Sequence, residues 1–260
     1  MTDNRPIAFF DSGVGGLTVF AKVKKLLPNE NYLYFGDTKN MPYGEKSEKQ
    51  LIEFADRIFK FFEKQNAKAV VMACNTTSAI TYEKLKDNYN FKIYPIIQTV
   101  CSTLAGLDGV KSLGVIATPA TINSHAYSKG IAKYNKDMKV YELAAPNWVR
   151  IVEEHRIHQP QSIEQIKEIL EVMKENNPDK IVLACTHYPY LLDVLKKFLP
   201  EDKYIDPAIF FAQSIKNDLE KNNLLGKAPT YERIYVSSDP ENFKIASELF
   251  YKLDILPELV

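Results

Sequence analysis

Two cysteines in this chain occupy closely similar stretches, KAVVMACNTTSA around Cys74 and DKIVLACTHYPY around Cys185. In each, a hydrophobic run that reads as a buried strand ends at Ala-Cys, and polar residues that open a helix follow. Open α/β sheets place their ligands at strand carboxyl ends, and a helix N-terminus lowers a thiol's pKa. Two thiols so placed suit proton transfer on two sides of one substrate. A thiol of ordinary pKa, about 8.5, leaves a usable thiolate fraction near neutral pH while its neutral partner can still donate. A buried cysteine is more often a small apolar side chain. The repeated A-C-[NT] context sets these two apart, whereas Cys101, in TVCSTLAGL, lacks it and reads as an apolar helical position.

Such thiols need rigid elements behind them. Short β-branched or aromatic runs alternate with longer amphipathic stretches, the pattern of βα units around a mostly parallel sheet. Strands are predicted at Pro6–Phe10, Asn31–Phe35, Ala69–Ala73, Phe91–Ile97, Ser112–Ala117, Lys139–Leu143, Lys180–Ala184 and Arg233–Ser237. The clearest helix is Ser47–Gln65, where Leu51, Phe54, Ala55, Ile58, Phe59 and Phe62 share one face. Another is predicted over Ser162–Asn176, with Ser162 as N-cap, Gln165 completing a capping box and Pro178 beyond its end.

The chain also repeats itself weakly. A strand ending in FFDSGVGG precedes the Cys74 strand, and one ending in GVIATPAT precedes the Cys185 strand at a similar interval. The expected fold is therefore α/β with two pseudo-symmetric lobes, each a mostly parallel sheet flanked by helices. A cleft lined by Asp11, Cys74, Thr118 and Cys185 would lie between them. Residues 1–98 plus 207–260 would form the first lobe and 99–206 the second, with linkers near Gln98 and Asp206. RIYVSS would return to the first sheet.

Composition narrows the function classes. The 260 residues are 45% hydrophobic and 25% charged, with 33 basic against 33 acidic side chains. A formal charge of +0 disfavours partners bound through phosphate backbones or anionic membranes. The start MTDNRPIAFFDSG has no apolar signal region, and no run approaches the roughly 20 apolar residues that span a bilayer. A cytoplasmic protein without nucleic-acid or membrane partners is expected. Three cysteines in apolar surroundings suggest free thiols in a reducing compartment, not a disulfide framework. DSGVGG lacks G-x-G-x-x-G spacing, so NAD is not expected, and its glycines more simply allow a tight turn beside a ligand. His155 and His158 share a segment, but His125 and His187 lie elsewhere, so no metal site is expected either.

Taken in order, DSGVGGLTV (11–19), YFGDT with MPYG (34–44), ACNTTSA (73–79), GVIATPAT (114–121) and ACTHYPYL (184–191) resemble bacterial glutamate racemases over nearly the whole chain. The resemblance implies a cofactor-independent enzyme that interconverts L- and D-glutamate, supplies D-glutamate for peptidoglycan and forms a homodimer. It implies that Cys74 takes the α-proton from D-glutamate and Cys185 from L-glutamate, with Asp11 assisting Cys74, and Glu153 and His187 assisting Cys185. Three positions depart from the family pattern: Ala184 where Gly is frequent, Thr77 where Ala is frequent, and Ala145-Pro146-Asn147 where Cys-Pro is common. None is one of the implied bases.

The implied substrate carries two carboxylates and an ammonium, so hydroxyls, amides and N–H groups at helix starts suit it. Ser12, Asn75, Thr76 and Thr186 fall at strand-to-helix junctions, and Tyr43-Gly44 forms a turn able to hold an anion. These match family substrate contacts, to which Asp11 and His187 also belong. Thr118 and Thr121 are secondary candidates. Blander roles compete: Asp11 as an N-cap on a helix beginning near Gly15, Glu153 as a solvated acid, His187 as a plain helix-start residue, Thr118 as a cap. An aspartate racemase and a non-catalytic amino-acid-binding protein are the competing functions. Substrate profiling separates the first; indifference to loss of either cysteine marks the second.

Overall fold

A computed structural model describes residues 3–227 and 231–260. The chain forms β1 (Ile7–Asp11), α1 (Leu17–Leu26), β2 (Tyr32–Gly36), α2 (Glu48–Lys64), β3 (Ala69–Met72), α3 (Asn75–Leu85), β4 (Lys92–Pro95) and α4 (Ile96–Ala105). There follow β5 (Ser112–Ala117), α5 (Pro119–Ser124), α6 (Ala126–Ala132), β6 (Lys139–Ala144), α7 (Trp148–Glu153), α8 (Pro160–Glu175) and β7 (Lys180–Ala184). The last elements are α9 (Leu192–Leu195), β8 (Tyr204–Ile205), α10 (Pro207–Lys221), β9 (Glu232–Val236), α11 (Pro240–Ser247) and β10 (Glu258–Leu259).

Two parallel sheets result, one ordered β10-β9-β2-β1-β3-β4 and the other β6-β5-β7-β8. Within them, β2-β1-β3-β4 and β6-β5-β7-β8 repeat the same order, second strand, first, third, fourth. Each order reverses between its first and third strands, which is where doubly wound sheets open a crevice for ligands. Cys74 follows β3 and Cys185 follows β7, so both thiols stand at such a switch point. The segment RIYV lies in β9 and pairs with β2 of the first sheet.

Parallel strands covered on both faces read as continuous apolar runs, and alternate side chains must enter different cores. Ile7 and Phe9 of β1 and Val71 and Ala73 of the β3 segment face an inner core, whereas Ala8, Phe10, Met72 and Cys74 face an outer one. The second sheet repeats this, with Val182 and Ala184 inward, and Ile181, Leu183 and Cys185 outward. The inner core holds side chains of both sheets together with α1, α4 and α10. In α2, Leu51, Ala55, Ile58, Phe59 and Phe62 are buried and Phe54 partly so. Each large side chain of that stripe contributes about 1.5–3 kcal/mol. The Ser47 hydroxyl caps α2, and Gln50 completes a capping box that fixes its start beside the 43–45 turn.

Several local expectations are corrected. Helix α8 begins at Pro160 behind Gln159, not at Ser162, because proline's fixed φ suits a first helical position. Ser162 is buried within the helix and its hydroxyl has no hydrogen-bond partner. The strand expected over 91–97 stops at Pro95, and Ile96 and Ile97 open α4, so Gln98 lies inside a helix and not in a linker. Asp206 is the N-cap of α10, its carboxylate accepting from the Ala208 N–H at 2.9 Å.

Candidate active site

The helix begins at Cys74 without a side-chain cap, which leaves the sulfur free to face a cavity. Cys185 stands two residues ahead of the His187 N-cap of a 3-10 turn, Tyr188–Leu191. Both thiols line one small cavity. Ser12, Tyr43, Gly44, Asn75, Thr76, Thr118, Glu153, Thr186 and His187 line it too. Of the residues read from sequence, only Asp11 and Thr121 do not reach its wall. Asp11 is fully buried behind it, and Thr121 hydrogen bonds to Thr76 at 3.3 Å and Thr118 at 3.0 Å.

The surroundings of the two sulfurs differ. His187 Nδ1 lies 3.8 Å from Cys185 Sγ, and its Nε2 lies 2.8 Å from Glu153 Oε1. Burial alone would push His187 toward its neutral form. Its hydrogen bonds to Cys185 and Glu153 override that and raise its pKa well above the ordinary value, so it presents Cys185 with a cation. Glu153 is thus a paired acid and not a solvated one.

Among the described residues, no cation is one of the groups that shift Cys74. Burial, and after it the negative charge of Asp11, push its thiol up to about 12 against the pull of Thr77. The charge of Cys185 also acts on it, which places the two sulfurs across the same small space. Asp11 is itself pushed up to about 6 by burial, against the charge of His187 and the N–H groups of Gly13 and Gly16. Its Oδ1 accepts from the Gly13 N–H at 3.0 Å, and its Oδ2, buried, has no partner. Asp11 therefore braces a turn and does not cap α1, which starts at Leu17 behind Gly16.

The DSGVGG glycines have a steric reason. A Cβ on Gly15 would stand 2.5 Å from Thr186 Oγ1 and 2.6 Å from His187 Nδ1, and one on Gly16 would stand 2.7 Å from Tyr34 Oη. Only glycine lets this turn of the first half pack against the His187 segment of the second. Polar contacts hold the same seam. Thr18 donates to the Thr186 carbonyl at 3.1 Å, Thr76 Oγ1 lies 2.9 Å from Thr118 Oγ1, and Tyr127 donates to Asn75 Oδ1 at 2.7 Å. Asn75 is held by this bond, and Thr118 caps α5 by accepting from the Thr121 N–H while still reaching the cavity. Tyr43 donates its hydroxyl to Asp37 Oδ2 at 2.5 Å, which anchors the 43–45 turn where it lines the cavity.

Sequence reasoning missed Met41, Pro42, Glu45, Pro119, Pro146, Val149 and Arg150 on the wall. Arg150 precedes Glu153 by three residues, one helical turn, a spacing that would have found it once Glu153 was placed on a helix. Among the described residues, no three His, Cys, Asp or Glu side chains are grouped to hold a metal ion, and no helix is long and apolar enough to cross a membrane.

This arrangement can hold a small polar molecule between two sulfurs, one beside a cation and one beside a buried acid. The profile of the Asp/Glu/Hydantoin racemase family matches residues 16–215. The glutamate racemase of Thermoanaerobacter pseudethanolicus is 40% identical over 253 residues, covering 95% of this chain and 93% of that protein. The structure of glutamate racemase from Francisella tularensis in complex with D-glutamate superposes with a TM-score of 0.92 at 36% identity, covering 99% of this chain and 98% of that one. An aspartate racemase from Picrophilus torridus shares the fold alone, with a TM-score of 0.61 at 19% identity over 83% of this chain and 93% of that one. By sequence profile, full-length identity and fold, the chain belongs to the Asp/Glu/hydantoin racemase family.

Proposed function

We propose that this protein is a glutamate racemase working by two opposed thiols. The observation that carries the reading is the meeting of Cys74 and Cys185, from equivalent strand ends, on one small cavity. Inverting a stereocentre requires proton removal from one face of Cα and proton return on the other, hence two positioned acid/base groups. With L-glutamate, the Cys185 thiolate takes the α-proton, the electron pair stays on Cα, and the Cys74 S–H delivers its proton to the opposite face. D-glutamate runs the same path backwards. His187, held by Glu153, balances charge at Cys185, and Asp11 serves as the local acceptor at Cys74.

Ser12, Asn75, Thr76, Thr118 and Thr186, with the backbone of the Tyr43-Gly44 turn, offer the hydroxyls, amides and N–H groups that two carboxylates and an ammonium need. Thr121 supports them from behind. In this reading residues 1–98 plus 207–260 make the first lobe and 99–206 the second, and the enzyme acts in the cytoplasm as a homodimer supplying D-glutamate for peptidoglycan. Three free buried cysteines support the reducing compartment.

The test is polarimetry of L-glutamate with dialysed protein, with and without a chelator and a carbonyl-trapping reagent. Loss of optical rotation in every arm is expected. Activity abolished by either reagent and restored by a cofactor would overturn the thiol mechanism, and equal kcat/KM for aspartate would overturn the choice of glutamate.

A further inference from the structure

The cavity is bridged at its exposed side by one ion pair. Arg150 Nη2 donates to Glu45 Oε1 at 2.8 Å, and both residues line the cavity. Glu45 ends the 43–45 turn, which Tyr43 anchors to the Asp37–Arg57 pair of the first half. Arg150 sits on α7 of the second half, whose far side is fixed by Ile151, Val152 and the packing of Trp148 on Tyr188, with ring centroids 5.0 Å apart. Two rigid anchors thus reach toward each other across the opening. Both side chains are more than half exposed, at 57% and 61%. An exposed pair of this kind is worth about 0–1 kcal/mol, too little to matter for folding but suited to a contact that must break and reform.

We infer that Glu45–Arg150 is the latch of the cleft, and that it opens when an incoming dicarboxylate displaces Glu45 from the Arg150 guanidinium. The guanidinium matches a carboxylate in bidentate fashion, and a charge at the mouth of a narrow site raises the local concentration of an oppositely charged substrate. Arg150 and Glu153 lie three residues apart on the same short helix, so closure of the latch also settles the helix that holds His187. Arg150 is a capture and positioning residue, distant in role from the reacting atoms. The inference rests on the racemase reading for the identity of the substrate.

Two measurements test it. In steady-state polarimetry with L-glutamate, Arg150→Gln is expected to raise KM about tenfold at low salt with kcat within about twofold, and the difference should shrink at high salt. Arg150→Lys should recover only part of the loss, the share due to charge, because an ammonium lacks the bidentate fork. An unchanged KM and salt dependence, or a fall in kcat alone, would overturn capture. In hydrogen exchange on ligand-free protein, Glu45→Gln and Arg150→Gln are each expected to speed exchange by up to about fivefold in both the 43–46 and 148–153 segments. A change confined to the mutated segment would overturn the latch. If the unmodified protein left glutamate unracemised, only the substrate assignment would fall, because the exchange arm needs no substrate.

Discussion

Cys74 and Cys185 occupy matching ends of matching strands, yet they meet opposite electrostatics. Cys185 faces His187, a buried imidazole whose pKa is raised well above the ordinary value because, against the pull of burial, its hydrogen bonds to Cys185 and Glu153 favour the charged form. Cys74 has Asp11 for its charged neighbour, and its own burial, with the negative charge of Asp11 after it, pushes the thiol up to about 12. Two residues after Cys185 stands His187; two residues after Cys74 stands Thr76. The repeat places the two sulfurs alike, and the charged groups beside them differ. At neutral pH Cys74 is therefore held as the thiol, which in the two-thiol reading is the proton donor required for L-glutamate.

The comparison breaks most severely at the sulfurs themselves. Cys74→Ala and Cys185→Ala should each lose about 10²–10⁴-fold or more in racemisation in both directions, since the proposed mechanism uses both groups in every turnover. A glutamate analogue with a leaving group on Cβ needs only the first proton removed. Cys74→Ala should still eliminate from the L-configured analogue, and Cys185→Ala from the D-configured one. Elimination from the same enantiomer by both variants would contradict opposed thiols.

The helpers should split the same way. His187→Asn is expected to slow elimination from the L-configured analogue about 10²-fold and largely spare the D-configured one, with Asp11→Asn showing the reverse. For the D-configured analogue, the rate should rise as pH passes about 6, where Asp11 becomes charged, and that limb should vanish in Asp11→Asn. Measuring both analogues across pH decides whether each helper serves one thiol.

Asp11 also has a cost in stability. Its folded pKa is raised to about 6 from 3.8, so the fold favours the protonated acid. That contribution is present below the unfolded value and is lost as pH rises through the folded one. Two units at 1.36 kcal/mol each put the carboxylate's cost on the order of 2–3 kcal/mol. Asp11→Asn should raise the unfolding free energy by about that much at pH 8 in urea titrations, with the gain fading as pH falls from about 6 to about 4 and absent below that. The smallest effect belongs to the third thiol. Cys101 is fully buried and packs against Gly130, so Cys101→Ala should cost about 1 kcal/mol and leave racemisation unchanged.

Much of this was legible in the chain because buried parallel strands leave runs such as AVVMA and KIVLA that only a sheet interior explains. Their ends shifted by a residue or so, as at Ile7–Asp11 against the expected 6–10. The two-residue β8 and β10 carry no periodicity and were invisible. Ser162 misled because its capping signature is local, whereas Pro160 had already set the helix start. In the site, Cys74, Cys185 and His187 could be read from their motif positions, but the His187–Glu153 bond joins residues 34 apart in sequence. The Tyr127–Asn75 and Thr18–Thr186 bonds depend on how the halves face each other. No periodicity within either half encodes that.

The inner core is one cluster holding Phe9, Val71, Val115 and Val182 alike, with α4 and α10 wedged between the sheets. Either half made alone would expose that whole face to water. The halves are thus distinct as chemistry and indivisible as thermodynamics. Calorimetry should record one endotherm whose van't Hoff and calorimetric enthalpies agree.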